Sequence, residues 1–412
     1  MSTVVAPRAM VKDYAGVLGG RVLAALLQAL TFVLLARAAG PGDFGLVVAT
    51  TGATTAVSAA FGFGFGPYLA RIRSLRPDST VVGDLVRQNN RTSVVLGAAA
   101  LVAFVALGLL DPRFWALAPL APALVAQRSS AVWQGLAVAD ERTRLFGAAL
   151  SLRRLVLLVG LGLLLAAGVD TLLSFAIASV VSESSVNLFL RRRLASSVPA
   201  GEGRTLRPLV REAVPFWIET IAGQLRNLDV LAVTVAGGTV AAGMFAAASR
   251  VSSVVNLVPS TLATVLMPRV SRYGMSQRRA TAAAVTVGTG FMAVVLAGIV
   301  VLAPWAVPVV LGDAYTSAVP VLQVYCCGLL VLAFVTMINA VLQGAGLARV
   351  VGRASMIGAA AIIVGVAAGA ATGGAVGASI GYSAAWIVQL VVLAVMVRAV
   401  TRRTALSPEE DR

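Results

Sequence analysis

The chain has 412 residues, of which 58% are apolar and 12% charged, and its mean hydropathy is +0.90. It has no polar stretch long enough to fold as a soluble domain, which excludes a soluble multidomain protein. Histidine is absent and the net charge is +16; this excludes His-based catalysis, His metal sites and His proton relays, and the arginines flank apolar helices, so no nucleic-acid partner is expected.

Crossing the hydrocarbon core takes about 20 mainly apolar residues. Such segments are predicted at 14–36, 44–66, 91–110, 114–138, 145–168, 171–190, 211–236, 239–267, 280–303, 315–343, 349–371 and 375–398. The first run is long enough to span, and no cleavable signal peptide is expected. Cys326 and Cys327 lie together in an apolar run and read as small apolar residues, not as a disulfide framework.

The 33 basic residues, all arginine except Lys12, fall mostly in every second connection. Arg71, Arg73, Arg76, Arg87 and Arg91 share one loop. Arg191, Arg192, Arg193, Arg204, Arg207 and Arg211 share another, and Arg398, Arg402, Arg403 and Arg412 share the tail. The opposite side holds only Arg37 and Arg113, beside Asp43, Asp111, Asp170 and Asp313. Basic loops stay cytoplasmic. The expected fold is therefore an all-α membrane protein of about twelve transmembrane helices with both termini cytoplasmic.

Internal similarity points to a duplication. Gly40-Pro-Gly-Asp-Phe-Gly45 joins the first helix pair, and Gly238-Thr-Val-Ala-Ala-Gly243 joins the seventh and eighth. Leu110-Asp111 matches Gly312-Asp313, and Gln134-Gly135 matches Gln343-Gly344. Each half begins inside, so two parallel, pseudo-symmetric six-helix lobes around a central cavity are expected. The division would be an N-terminal lobe at 1–195, a cytoplasmic linker at 196–210, a C-terminal lobe at 211–400 and a tail at 401–412.

Charges inside the spans are the strongest functional signal, since an arginine at bilayer centre costs about 2.5–3.5 kcal/mol even on the lenient insertion scale. Arg21, Arg128, Arg226 and Arg250 lie deep in spans, with Glu183, Glu219 and Asp229. Arg153 and Arg154 lie two turns into their helix and are expected to snorkel to the surface. Glu219, Arg226 and Asp229 fall on one face of an ideal helix, close enough for Arg226 and Asp229 to pair. Two readings stay open. The pairs can simply fix helix packing, or the arginines can line a basic cavity for an anionic substrate, whose phosphates a guanidinium grips bidentately. In the second reading the acids bind protons or a cation for coupling.

Phe61-Gly-Phe-Gly-Phe-Gly66 looks superficially like a phosphate loop, but no Lys-Ser/Thr follows, so close packing or fraying at a helix end is expected. There is no Walker motif. No cofactor or metal is expected. A membrane glycosyltransferase or polymerase would need acidic motifs at a membrane face or a large external loop; neither appears, so no enzymatic activity is expected.

The first hairpin, from Arg21 through Arg37 to Ala39-Gly40-Pro41 and Phe44-Gly45, resembles the opening of polysaccharide-biosynthesis flippases. These are the Wzx-type branch of the multidrug/oligosaccharidyl-lipid/polysaccharide exporter superfamily. Val214-Pro215-Phe216, Asp229, Gly243-Met-Phe-Ala-Ala-Ala-Ser-Arg250, Met267-Pro268-Arg269, Leu311-Gly312-Asp313-Ala-Tyr315 and Gln343-Gly-Ala-Gly346 follow in the family's order. Phe44 and Phe245 replace the commoner tyrosines. The resemblance implies alternating-access export of polyprenyl-pyrophosphate-linked oligosaccharide across the bacterial plasma membrane, from inner to outer leaflet, for surface polysaccharides such as O-antigen or exopolysaccharide. Arg250 and Asp229 carry over by position. Arg250 by that position, and Arg21, Arg128 and Arg226 by their burial in spans, would bind substrate, and Glu183, Glu219 and Asp229 would couple transport to protons or sodium. The implied partners are the lipid-linked oligosaccharide, membrane lipids and a polysaccharide polymerase complex. The competing reading is a cation-coupled multidrug exporter of the same superfamily.

Overall fold

The computed structural model describes the backbone of residues 7–256, 258–263, 266, 270 and 278–406. Side chains are described from Leu23 to Val400, apart from some positions within helices, among them Glu219 and Arg226. All regular structure among the described residues is helical. The helices are α1 (Pro7–Ala60), α2 (Phe65–Leu75), α3 (Val81–Gly108), α4 (Arg113–Leu117), α5 (Leu120–Ala139), α6 (Thr143–Ala166), α7 (Thr171–Leu194), α8 (Leu206–Gln224), α9 (Asp229–Val255), α10 (Arg278–Leu311), α11 (Ala318–Gly344) and α12 (Ala348–Leu406).

Eight helices among the described residues are long and apolar enough to cross a membrane. Their lipid-compatible surface includes Val235 and Trp305, 82% and 69% exposed, which water would not tolerate in such numbers. The protein is a multi-pass membrane protein. Two of the apolar stretches, 38 and 52 residues long, far exceed the hydrocarbon core at 1.5 Å per residue. Both contain glycine kinks, at Gly40 and at Gly373–Gly374.

The chain forms two compact units. The first comprises residues 1–39 and 53–224, the second residues 40–52 and 225–412. The 196–210 stretch, expected as a linker between lobes, is tied down within the first unit. The buried Asp84 carboxylate accepts hydrogen bonds from the backbone nitrogens of Glu202 (3.2 Å) and Gly203 (2.8 Å). Gln88 Nε2 donates to the Arg204 carbonyl at 2.9 Å. These bonds attach the strap to α3, and α8 lies in the first compact unit.

The first unit is built around Phe65, Leu69, Leu85, Trp133, Leu136 and Leu190, which bring α2, α3, α5 and α7 together. α3 begins at Val81, ten residues before the apolar run at 91, because its polar first turns pack against the strap just described. Asp170 caps α7, accepting from the Leu173 nitrogen at 3.0 Å.

In the second unit the two matched glycine motifs adopt the same conformation. Gly40 has φ/ψ of 67°/174° and Gly238 84°/171°, a region open essentially to glycine alone. Each kink turns one helix into the next. The fifth residues onward, Gly45 and Gly243, then pack against each other. A β-carbon on Gly45 would collide with the Thr239 carbonyl and the Gly243 nitrogen, and one on Gly243 would collide with the Pro41 carbonyl. The contact is reciprocal: the fifth residue past each kink meets the first residue past the other. Phe44 packs edge-on against Tyr315, with centroids 6.3 Å apart, and both are fully buried.

Candidate functional site

The Phe-Gly repeat ends α1 inside the first unit. Phe63 and Gly64 both take positive φ, 51° and 65°, and α2 restarts at Phe65. Carbonyls at such a helix end lack an intrahelical donor. Arg128 of α5 supplies it: Nη1 donates to the Ser58 carbonyl at 2.7 Å and Nη2 to the Phe61 carbonyl at 2.9 Å. Nε donates to Ser93 Oγ at 3.0 Å and Nη2 also to Thr92 Oγ1 at 3.3 Å. Arg128 is 4% exposed. A cation at a helix C-terminus meets the negative end of its dipole, so these carbonyls compensate the charge as well as the donors. Trp217 of α8 completes the break, Nε1 donating to the Ala60 carbonyl at 2.7 Å. Close packing explains the glycines, since a β-carbon on Gly64 would strike the backbone of Phe216 and Trp217. A cavity of about 210 Å³ opens beside the break; its lining is largely apolar, with Thr55, Ser58, Gln127, Arg128, Thr220 and Gln224 as polar members.

Glu183 of α7 faces Arg153 of α6 at 3.0 Å, with both side chains about 15% exposed. Arg153 Nη2 also donates to Ser130 Oγ at 2.9 Å, and Ser182 Oγ donates to the Arg153 carbonyl at 2.7 Å. The expectation that Arg153 snorkels to the membrane surface is therefore corrected. An acid on the facing helix offers a better partner than the distant headgroups.

In the second unit Asp229 opens α9, its Oδ1 accepting from the Val230 nitrogen at 2.7 Å. Arg250 lies further along α9, within electrostatic reach of Asp229 and Tyr325. Tyr325 stacks on Tyr382 with centroids 4.2 Å apart. Phe245 stands edge-on to Tyr325 at 5.5 Å, and Trp386 edge-on to Tyr382 at 6.2 Å. Sequence reasoning missed this buried aromatic wall, because Tyr325 lies in one apolar stretch and Tyr382 and Trp386 in another about 60 residues on, with no shared motif.

The structure thus pairs Glu183 with Arg153 and seats Arg128 on the α1 break, while Arg250 lies within electrostatic reach of Asp229. The side chains of Arg21, Glu219 and Arg226 lie outside the described residues. The ideal helical face expected for Glu219, Arg226 and Asp229 is interrupted. Residues Leu225–Leu228 form a 3₁₀ turn, whose three residues per turn shift the register between Glu219 and Asp229. α9 ends at Val255, and Asn256 lies in a turn that precedes Pro259.

A family model described as "Polysaccharide biosynthesis protein" matches residues 34–320. The chain belongs to this family. No curated protein matches the sequence. Among solved structures, this family member is similar to the inward-facing conformation of a multidrug resistance MATE family transporter of the MOP superfamily. The TM-score is 0.78 at 15% identity, covering 93% of this chain and 96% of that one. It is similar to the lipid II flippase MurJ in an inward closed conformation, with TM-score 0.73 at 14% identity and coverage of 94% and 87%. It is also similar to a MOP superfamily transporter from Pyrococcus furiosus described as having a binding pocket of reversed polarity, with TM-score 0.67 at 15% identity and coverage of 97% and 96%. The chain therefore has the fold of these MOP superfamily transporters.

Proposed function

We propose that the protein is a flippase that moves polyprenyl-pyrophosphate-linked oligosaccharide from the inner to the outer leaflet of the bacterial plasma membrane by alternating access. The observation that carries this reading is the family match over residues 34–320 on a transporter fold. The lipid II flippase title of one structural neighbour supports a lipid-linked cargo on this fold. Twelve crossings in two six-helix lobes with cytoplasmic termini fit the kinks at Gly40, Gly238 and Gly373–Gly374, each of which divides a long helix in two.

In this reading Arg250, with Arg21 and Arg226, meets the anionic carrier, and Asp229 sets the orientation of Arg250. Arg128 holds the α1 break. Glu183, Glu219 and Asp229 are the carboxylates that bind the coupling proton or sodium ion. A polysaccharide polymerase complex takes the product. The test is a deletion strain. Lipid-linked oligosaccharide accumulates in its inner leaflet and surface glycan disappears, and wild-type protein restores both while Arg250→Ala, present at equal level, restores neither. A deletion strain with normal surface glycan and no accumulated lipid-linked sugar would refute the assignment.

A further inference from the structure

The cavity beside the α1 break has a chemistry different from that of a site for the carrier's phosphates. Its polar lining consists of hydroxyls and amides from four helices: Thr55 and Ser58 of α1, Asn89 of α3, Gln127 of α5, and Thr220 and Gln224 of α8. Among the described residues none of the lining is acidic. The one cation, Arg128, directs its guanidinium at the Ser58 and Phe61 carbonyls and the Thr92 and Ser93 hydroxyls. The Gln127 side-chain amide lines the cavity and makes no hydrogen bond among the described residues. Phe65 and Val132 give the same cavity an apolar wall.

An amide both donates and accepts, and so does a hydroxyl. A fully charged phosphate only accepts, and would offer the Gln127 amide oxygen no donor. A polyol satisfies both ends, and the C–H face of a sugar ring suits the Phe65 and Val132 side. The cavity, about 210 Å³ and open at its mouth, has room for a sugar ring with its hydroxyls.

We infer that this cavity of the first unit is a carbohydrate subsite that takes a single sugar ring through Gln127 and the surrounding hydroxyls. The choice of a sugar over other polyols rests on the proposed flippase function. The subsite reads the glycan, whereas Arg250 in the second unit is assigned to the carrier's phosphates.

The test uses the full chain in detergent, titrated with free glucose, galactose, rhamnose and N-acetylglucosamine, and separately with inorganic pyrophosphate, read by saturation-transfer NMR. At least one sugar binds. Gln127→Leu weakens that binding about threefold to tenfold, the effect of losing one neutral hydrogen bond. Ala131→Leu fills the cavity from its exposed lining position without removing a polar group, and abolishes sugar binding. Pyrophosphate does not compete with the sugar. The inference is overturned if no sugar in the panel binds, if pyrophosphate displaces the sugar, or if both variants, shown monodisperse by size exclusion, bind sugar as wild type does. Sugar binding lost with lipid-linked glycan still accumulating in the deletion strain sinks the subsite alone. Sugar binding kept with no accumulation sinks the flippase reading and leaves the subsite standing.

Discussion

Gly45 and Gly243 lie backbone against backbone, each pressed onto the residue that follows the other's kink glycine. A methyl group at either position has nowhere to go without moving a helix, and overpacking of this kind costs about 1–3 kcal/mol. Gly45→Ala and Gly243→Ala should each lower the melting temperature of the detergent-purified protein. Gly290 on α10 is the control, because an added β-carbon there meets nothing within 4 Å. Gly290→Ala should leave the melting temperature unchanged or raise it, since alanine is the better helix former by about 1 kcal/mol. Equal losses in all three variants would show that the crossing is not specifically tight.

The Arg153–Glu183 pair makes an opposite kind of prediction. Removing one member of a buried pair strands the other charge, at a cost of about 3–5 kcal/mol. Glu183→Leu and Arg153→Met alone should therefore each destabilise the protein strongly. The double variant should recover most of the loss, because two apolar side chains need no compensation. Thermal unfolding of the four proteins gives the cycle directly. Transport then separates structure from coupling. A stable double variant that still responds to the ion gradient would remove Glu183 from the coupling residues.

Much of this arrangement was legible in the sequence, and the exceptions have physical causes. The Gly-x₄-Gly motifs predicted a duplication, and their shared backbone conformation at Gly40 and Gly238 is what a repeated turn requires. The Phe-Gly run predicted close packing or fraying at a helix end, and of the two Gly64 shows close packing against α8. The role of Arg128 could not be read from its position, because its acceptors lie about 70 residues away and exist only once α1 breaks. The inward turn of Arg153 was hidden for a similar reason: spacing within one helix says nothing about an acid on the next. Gly365-x₃-Gly369 and Gly377-x₃-Gly381 were a readable signal that went unused. They let the two arms of α12 approach through glycine backbones.

Arg128 distinguishes geometry from charge. A lysine would keep the positive charge but offers a single point in place of a planar fork. It cannot reach the Ser58 and Phe61 carbonyls together with the Thr92 and Ser93 hydroxyls. Hydrogen bonds to a charged group are worth about 1.5–3 kcal/mol each. Arg128→Lys should therefore cost at least about 3 kcal/mol of stability and open the α1 break to proteolysis. Wild-type melting behaviour in Arg128→Lys would show that charge alone holds the break.

Tyr68 gives a stability signature at high pH. It lies on α2 beyond the apolar spans, donates a hydrogen bond to Glu212 of α8, and lines an open cleft with Arg76, Asp78 and Arg204. Burial, then the hydrogen bond to Glu212 and its negative charge, push the phenol up from 10.0 to about 12. The folded state therefore holds this proton more tightly than the unfolded chain does. The resulting stability is fully present below about 10 and is lost as pH rises through about 12. Wild type should lose stability over that window relative to Tyr68→Phe, which has no proton to release there. Glu212→Gln removes the charge but not the burial, so it should bring the titration part of the way back toward 10. Phenolate absorbance, taken as the difference between wild type and Tyr68→Phe, follows this one side chain. A difference titration centred near 10 in the wild-type protein would show that the Tyr68–Glu212 bond does not hold α2 to α8.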